Sequence, residues 1–149
     1  MINTPTLVEF SERKIVGIGN IGKQTNPGDV WPALFNRIDE VNDRLNQLET
    51  IGLIKRNEHG YLAGVETSIQ SEVPEGMYSY KIPAGKYATV THKGPLGKIN
   101  ETFEGLINWL GTNNYEQFDV ICFEVYDHRY KGEDSESEFD MFIQIKSVG

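Results

Sequence analysis

The chain has 149 residues, with 14 Lys and Arg against 22 Asp and Glu for a formal net charge of −8. That length fits one domain or two small repeats fused into one, and an apolar content of 38% with 11% aromatics supplies both a core and the walls of a pocket. The acidic balance argues against nucleic acid and an anionic membrane as direct partners and suits a cationic ligand. No apolar run is long enough to span a bilayer, and the single cysteine, Cys122, excludes an internal disulfide framework or a multi-cysteine zinc site.

Met1 to Phe10 lacks the basic and apolar regions of a secretory leader, so a cytoplasmic protein is expected. Leu7 to Ile18 is rich in β-branched and aromatic residues, with a bend at Ser11-Glu12, and reads as strand. Gly17-Ile18-Gly19-Asn20-Ile21-Gly22 spells G-x-G-x-x-G, but a dinucleotide site needs those glycines in a tight strand-to-helix turn. Here the loop Lys23 to Gly28 intervenes, and no nucleotide cofactor is expected. A helix starts near Asp29 as its N-cap, with Pro32 tolerated in the first turn. Its apolar stripe is Trp31, Leu34, Phe35, Ile38 and Val41, extending to Leu45 and Leu48. Strands over Ile51 to Arg56 and Tyr61 to Ser68 close this half, joined by a short turn at Glu58-His59-Gly60.

Tyr78 to Thr91 repeats the opening, with its bend at Pro83-Ala84-Gly85. A second helix carries Ile99, Phe103, Leu106, Ile107 and Leu110 and stops at Gly111. Asn100-Glu101-Thr102 would be a glycosylation acceptor only in a secreted chain. Strands over Val120 to Tyr126 and Phe139 to Ser147 follow. Between them, Asp127 to Asp140 holds six acids against two bases, the composition of a solvated hairpin loop. Sliding the sequence by 72 lays Lys14 to Ile18 on Lys86 to Val90, and Trp31, Leu34, Phe35 and Ile38 on Phe103, Leu106, Ile107 and Leu110. The order strand, helix, strand, strand thus occurs twice, over about 5–70 and 77–147. This predicts an α+β fold, a pseudo-twofold duplication of a β-α-β-β unit with an antiparallel sheet and two helices on one side.

The three histidines, His59, His92 and His128, have no ligand at i+3 or i+4, so no metal is expected. Cys122, between Ile121 and Phe123, reads as a buried structural thiol. Glu124 is the residue with chemistry to offer. Alternation along Val120 to Tyr126 puts Cys122, Glu124 and Tyr126 on one face and Ile121, Phe123 and Val125 on the other. A strand glutamate is usually exposed; one buried here is paired, protonated or held for a ligand. A lone anion among aromatics suits a lipophilic cation, and equally a general acid or base raised by desolvation.

Val73-Pro74-Glu75-Gly76-Met77, Ile82-Pro83-Ala84-Gly85-Lys86-Tyr87, Thr91-His92-Lys93-Gly94-Pro95, Trp109-Leu110 and Phe123-Glu124-Val125-Tyr126 together resemble the GyrI-like small-molecule-binding family. Tyr61-Leu62-Ala63-Gly64-Val65-Glu66 resembles that family's first-half hairpin. These are effector-binding domains found behind the DNA-binding helices of some bacterial AraC-type and MerR-type regulators, and also as standalone proteins. The resemblance covers nearly the whole chain. It implies a cleft between the two halves, lined by aromatics, with a glutamate at the position of Glu124 that attracts cationic, hydrophobic ligands. Carried onto this sequence, it gives Glu124 the charge role and Tyr126 an aromatic wall, and Phe139 stands where related multidrug-binding domains have an aromatic.

Trp31, Phe35, Phe103 and Trp109 are the helix candidates for the same cleft. Phe35 and Phe103 lie on the central stripes, where core packing is the first reading; Trp109 lies off its stripe and is expected to face a groove. Glu66 is a second carboxylate in the corresponding hairpin. With a first strand near Leu7, no DNA-reading segment is expected, so a transcriptional role would run through a separate protein partner. The expected function is binding of lipophilic, cationic or aromatic small molecules, without cofactor or metal. The resemblance leaves open hydrolysis of reactive cyclopropane-containing toxins, with Glu124 assisting water and Tyr126 donating a proton. It also leaves open a protein-interaction role such as gyrase inhibition.

Overall fold

Strand-forming segments and helices alternate as the repeat predicts. In chain order they are β1 (Thr6–Phe10), β2 (Arg13–Asn20), α1 (Pro27–Arg37), β3 (Thr50–Lys55), β4 (Gly60–Thr67), β5 (Tyr78–Ile82), β6 (Gly85–Lys93), α2 (Ile99–Thr112), β7 (Tyr115–Tyr126) and β8 (Glu138–Ser147). The computed structural model describes residues 4–56, 59–132 and 134–148. Met1, Glu58 and Glu133, which entered the leader, hairpin and acidic-loop readings, lie outside the described residues.

All eight strands form one antiparallel sheet in the order β1-β6-β8-β7-β3-β4-β2-β5. The order is symmetric about the β7–β3 seam. Each half's leading strand crosses to the other: β1 pairs with β6, and β5 pairs with β2. At the seam Gly52 stands opposite Glu124, with Thr50 opposite Tyr126 and Ile54 opposite Cys122. Gly52 and Glu124 are themselves 72 positions apart, so the pseudo-twofold axis passes between them. On the outer side of each half, Tyr61 pairs with Asn20 and Phe139 with His92, which makes Tyr61 and Phe139 equivalent positions. The fold is α+β and duplicated, with the opening strand of each predicted β-α-β-β unit broken at its bend into two strands, β1–β2 and β5–β6, that pair with different halves.

Period-2 alternation divides the side chains between two faces. One face takes both helices. Val30 and Leu34 of α1 pack with Tyr61 and Ala63 of β4. Phe103, Leu106 and Leu110 of α2 pack on Ala88, Val90, Cys122, Met141 and Ile143. The other face buries Ile15, Ile51, Leu53, Leu62, Phe123 and Val125, with Phe123 stacked on Phe142 at 4.7 Å between ring centroids. Each fully buried side chain of this kind contributes about 1.5–3 kcal/mol of transfer free energy, so the seam strands are held from both sides.

Several element ends differ from the sequence reading. The cap of α1 is Asn26, whose side chain accepts from the Gly28 amide at 2.9 Å, and Pro27 takes the first helical position, where its missing N–H costs nothing. Asp29 is therefore a first-turn acid inside the helix. The predicted continuation to Leu45 and Leu48 is corrected as well: α1 ends at Arg37, a 3-10 turn covers Ile38–Glu40, and both leucines are exposed. The second helix runs past Gly111 to Thr112 and is terminated by Asn114 in the left-handed region, φ 64°. Strand β7 starts five residues earlier than predicted, with its pairing to β8 irregular between Gln117 and Cys122. Gly17 and Gly19 lie inside β2, where a Cβ would run into the carbonyls of Ala63 and Tyr61. Close strand packing accounts for those two glycines.

Candidate functional site

Glu124 points from β7 toward the helix-bearing face and is 3% exposed. The Tyr126 hydroxyl, two residues along the same face, donates to its Oε1 at 2.7 Å. Its Oε2 is buried and has no hydrogen-bond partner among the described residues. A buried carboxylate oxygen without a donor is costly, so this arrangement is under-satisfied by one bond.

Aromatic rings pack around Tyr126, the hydrogen-bond partner of the carboxyl. The Tyr126 ring lies 4.8 Å from Phe139 of β8 and 4.8 Å from Tyr130 of the following loop. Trp31 comes down from α1, edge-on to Tyr126 at 5.6 Å, and its indole Nε1 donates to the Tyr61 hydroxyl at 2.9 Å. Phe35, one helical turn on, stacks on Trp31 at 5.8 Å. Gly52 makes room for this roof: a Cβ there would lie 2.5 Å from the Tyr61 hydroxyl oxygen and 3.5 Å from Trp31 Cζ2. A side chain at the residue across the axis from the carboxyl would displace the Tyr61 hydroxyl.

The electrostatics follow from burial. Desolvation pushes the Glu124 carboxyl up to about 7, opposed by the Tyr126 hydrogen bond and by the charge of Arg56. Tyr61 and Tyr126 are pushed upward by burial first and by the Glu124 charge next, which keeps both hydroxyls neutral, Tyr126 as the donor to Glu124 and Tyr61 as the acceptor from Trp31. Burial also pushes the Cys122 thiol up to about 12, so it is no nucleophile near neutral pH.

Two grooves open beside the helices. One, of about 700 Å³, runs beside the start of α1 and is lined by Thr25, Asn26, Pro27, His59, Ile54 and Tyr61. The other, of about 490 Å³, opens beside α2 between Arg56, Asn100, Phe103, Glu104, Ile107 and Asn108. There the Arg56 guanidinium sits 3.9 Å over the Phe103 ring.

Of the residues singled out from sequence, Glu124, Tyr126, Phe139 and Trp31 converge. Phe35 joins through Trp31, but at 56% exposure it is no core residue; α1 ends two residues later. Phe103 is buried under α2 and faces the Arg56 groove. Trp109 is half-buried against the α2 layer, away from the ring contacts just described. Glu66 lies on the opposite face of the sheet, where Arg13 grips both its oxygens at 2.7 and 3.1 Å. The acidic segment is less solvated than its composition suggests. Arg129 bridges Asp127 and Asp140 at 2.9 Å each, closing the base of the loop and presenting Tyr130 to the cluster.

Sequence reasoning missed Tyr61, Tyr130 and Gly52. Tyr61 carried a signal: it is Phe139's equivalent once the longer second hairpin is allowed for, with an offset of 78 instead of 72.

A duplicated α+β sheet with both helices on one face, and an aromatic-walled carboxyl at its seam, defines a domain of the effector-binding class. The chain belongs to the GyrI-like small molecule binding domain family, whose model matches residues 3–146. It is 32% identical over 148 residues to the transcriptional regulator BrlR of Pseudomonas aeruginosa strain PAO1, covering 93% of this chain and 54% of that protein. The chain thus spans about half the length of that relative. Among solved structures, the EcmrR C-terminal domain superposes with a TM-score of 0.71 at 16% identity, covering 99% of this chain and all of that one. SAV2435, solved bound to tetraphenylphosphonium, superposes with a TM-score of 0.63 at 12% identity over 96% of this chain and 94% of that one. At such identities these two establish the fold. Among the described residues, no helix is long and apolar enough to cross a membrane.

Proposed function

We propose that this chain binds lipophilic, cationic or aromatic small molecules between its two helices, with Glu124 as the counter-charge. The observation that carries the reading is the Glu124 Oε2, buried and without a donor among the described residues, beside Tyr126, on which Trp31, Phe139 and Tyr130 pack. A delocalised organic cation would meet the carboxylate and the negative ring faces together, at little desolvation cost of its own. A compact, strongly hydrated cation would not. Trp31 and Phe35 form the outer roof and must swing aside for entry; Phe35, exposed and at a helix end, is free to move. That SAV2435 is found with tetraphenylphosphonium supports the choice of ligand class, and the likeness to BrlR supports an effector's part in transcriptional control.

The test uses tetraphenylphosphonium in calorimetry and thermal unfolding at pH 8. Ligand at about 100-fold over Kd stabilises by about 2.7 kcal/mol, a rise of roughly 5 °C or more in Tm for a chain of this size. Glu124→Gln keeps the shape and removes the charge, so the rise is expected to vanish. Equal rises in both proteins would remove Glu124 from the account.

A further inference from the structure

The burial of Glu124 raises a chemical question: what balances its carboxyl within the protein? The groups facing it can be taken element by element. On its own strand are Tyr126, which donates to Oε1, and the Cys122 thiol. Across the seam on β3 are Gly52, Ile54 and, beyond the strand end, Arg56. Tyr61 reaches in from β4, Met141 and Phe139 from β8, Trp31 from α1 and Tyr130 from the loop. His92 of β6 stands behind Phe139, with both ring nitrogens occupied by Thr102 and Pro95. The one cation in this set is Arg56, whose guanidinium carbon sits 3.9 Å over the Phe103 ring centroid beside the α2 groove. The carboxyl thus has one hydroxyl donor, one bare oxygen and no ion pair among the described residues.

We propose that binding at this site is an exchange, in which the buried Glu124 rests as the neutral acid in the free protein and gives up its proton to solvent as an organic cation takes its place. The proposal rests on the binding reading above and adds its regulation. The balance is simple. The O–H bond of the carboxylic acid breaks, the proton leaves to water, and the carboxylate so formed is the counter-ion of the incoming cation. Net charge in the buried site is zero before and after, so neither state leaves an isolated ion in an apolar surrounding. Burial acts in the direction this requires, holding the proton to about neutral pH. A consequence is selectivity. A single carboxyl balances a single charge, because the equivalent position across the axis is Gly52. A monocation fits and a dication leaves one charge over.

Two measurements test it, one without ligand. In the free protein, the Glu124 side-chain carboxyl is followed by carbon-13 NMR between pH 4 and 9, with Glu124→Gln identifying the signal; a midpoint near 7 is expected, and an ordinary midpoint below 5 overturns the exchange whatever the protein binds. With tetraphenylphosphonium, calorimetry at pH 6 in two buffers of different ionisation enthalpy is expected to report about 0.9 proton released per ligand, falling to about 0.1 at pH 8. The Kd is expected to weaken about 30-fold from pH 8 to pH 5.5, while the neutral triphenylphosphine oxide shows no pH dependence and no proton release. Glu124-dependent binding with a flat pH profile overturns the exchange and leaves the binding reading standing. Binding that ignores Glu124→Gln, or no binding at any pH, overturns both.

Discussion

The two halves of this molecule share one plan and divide the work at the seam. At the axis the first half contributes Gly52 and the second Glu124. One helical turn into each helix, the equivalent residues are Trp31 and Phe103. Trp31 reaches across to Tyr126 of the other half and bonds Tyr61 of its own. Phe103 stays in the layer under α2, covered by Arg56. At the outer wall Tyr61 offers a hydroxyl where Phe139 offers a bare ring. The second half thus brings the charge and a hydrophobic wall; the first brings the roof and the vacancy that lets it close. Duplication gave two like scaffolds, and they are unequal at the axis, with Gly52 on one side and Glu124 on the other.

If the halves are equal as scaffolds, matched core substitutions will be equally severe. Leu34 of α1 and Leu106 of α2 are 72 positions apart and both fully buried against the sheet. Leu34→Ala and Leu106→Ala are each expected to cost about 2–5 kcal/mol in urea denaturation, without moving the ordinary pH dependence of stability. A cost under about 1 kcal/mol at one position alone would mean that one half packs loosely, and the equality would be broken at its foundation.

The legible part of this molecule was what repeats. Helical stripes and period-2 strands recur at a fixed offset, so the α+β duplication could be read, and alternation in β7 set Glu124 beside Tyr126 and Cys122 on one face, as the structure has them. What departs from the repeat was harder. Leu45 and Leu48 continue the stripe of α1 on paper, but the chain leaves helical geometry at Arg37 and they face solvent. Tyr61 was hidden because the hairpins differ in length, which breaks a gapless comparison. Tyr130 sits in a segment whose composition says solvent, while its contacts are fixed by the Arg129 bridge between Asp127 and Asp140, residues distant in sequence. Gly52 was unreadable alone, because its meaning is the ring above it.

The next largest effect isolates the charge. With Glu124 pushed up to about 7 by burial, the folded protein holds a proton that the unfolded chain has already released between about pH 4.5 and 7. Stability is therefore lost as pH rises through that window and stays low above it, by roughly 3 kcal/mol in all. Glu124→Gln removes this slope, so the variant is expected to gain on the natural protein from pH 4.5 to pH 8, by an amount of that order. Parallel stability profiles for the two proteins would show that the carboxyl is as well solvated as any surface acid.

The smallest effect falls on the other side of the axis. Gly52→Ala places a methyl 2.5 Å from the Tyr61 hydroxyl and in van der Waals contact with Trp31, so Tyr61 must move and its bond from the Trp31 indole is strained or lost. Overpacking of one methyl and loss of one side-chain hydrogen bond together suggest about 1–2 kcal/mol. Because the displaced atoms are the roof and not the core, the change should appear as a red-shifted Trp31 emission and faster ligand entry, more than as a large fall in Tm. An unshifted emission with a loss above about 3 kcal/mol would put Gly52 in the strand's own backbone packing instead. The vacancy would then be a requirement of β3, and the asymmetry at the axis would rest on Glu124 alone.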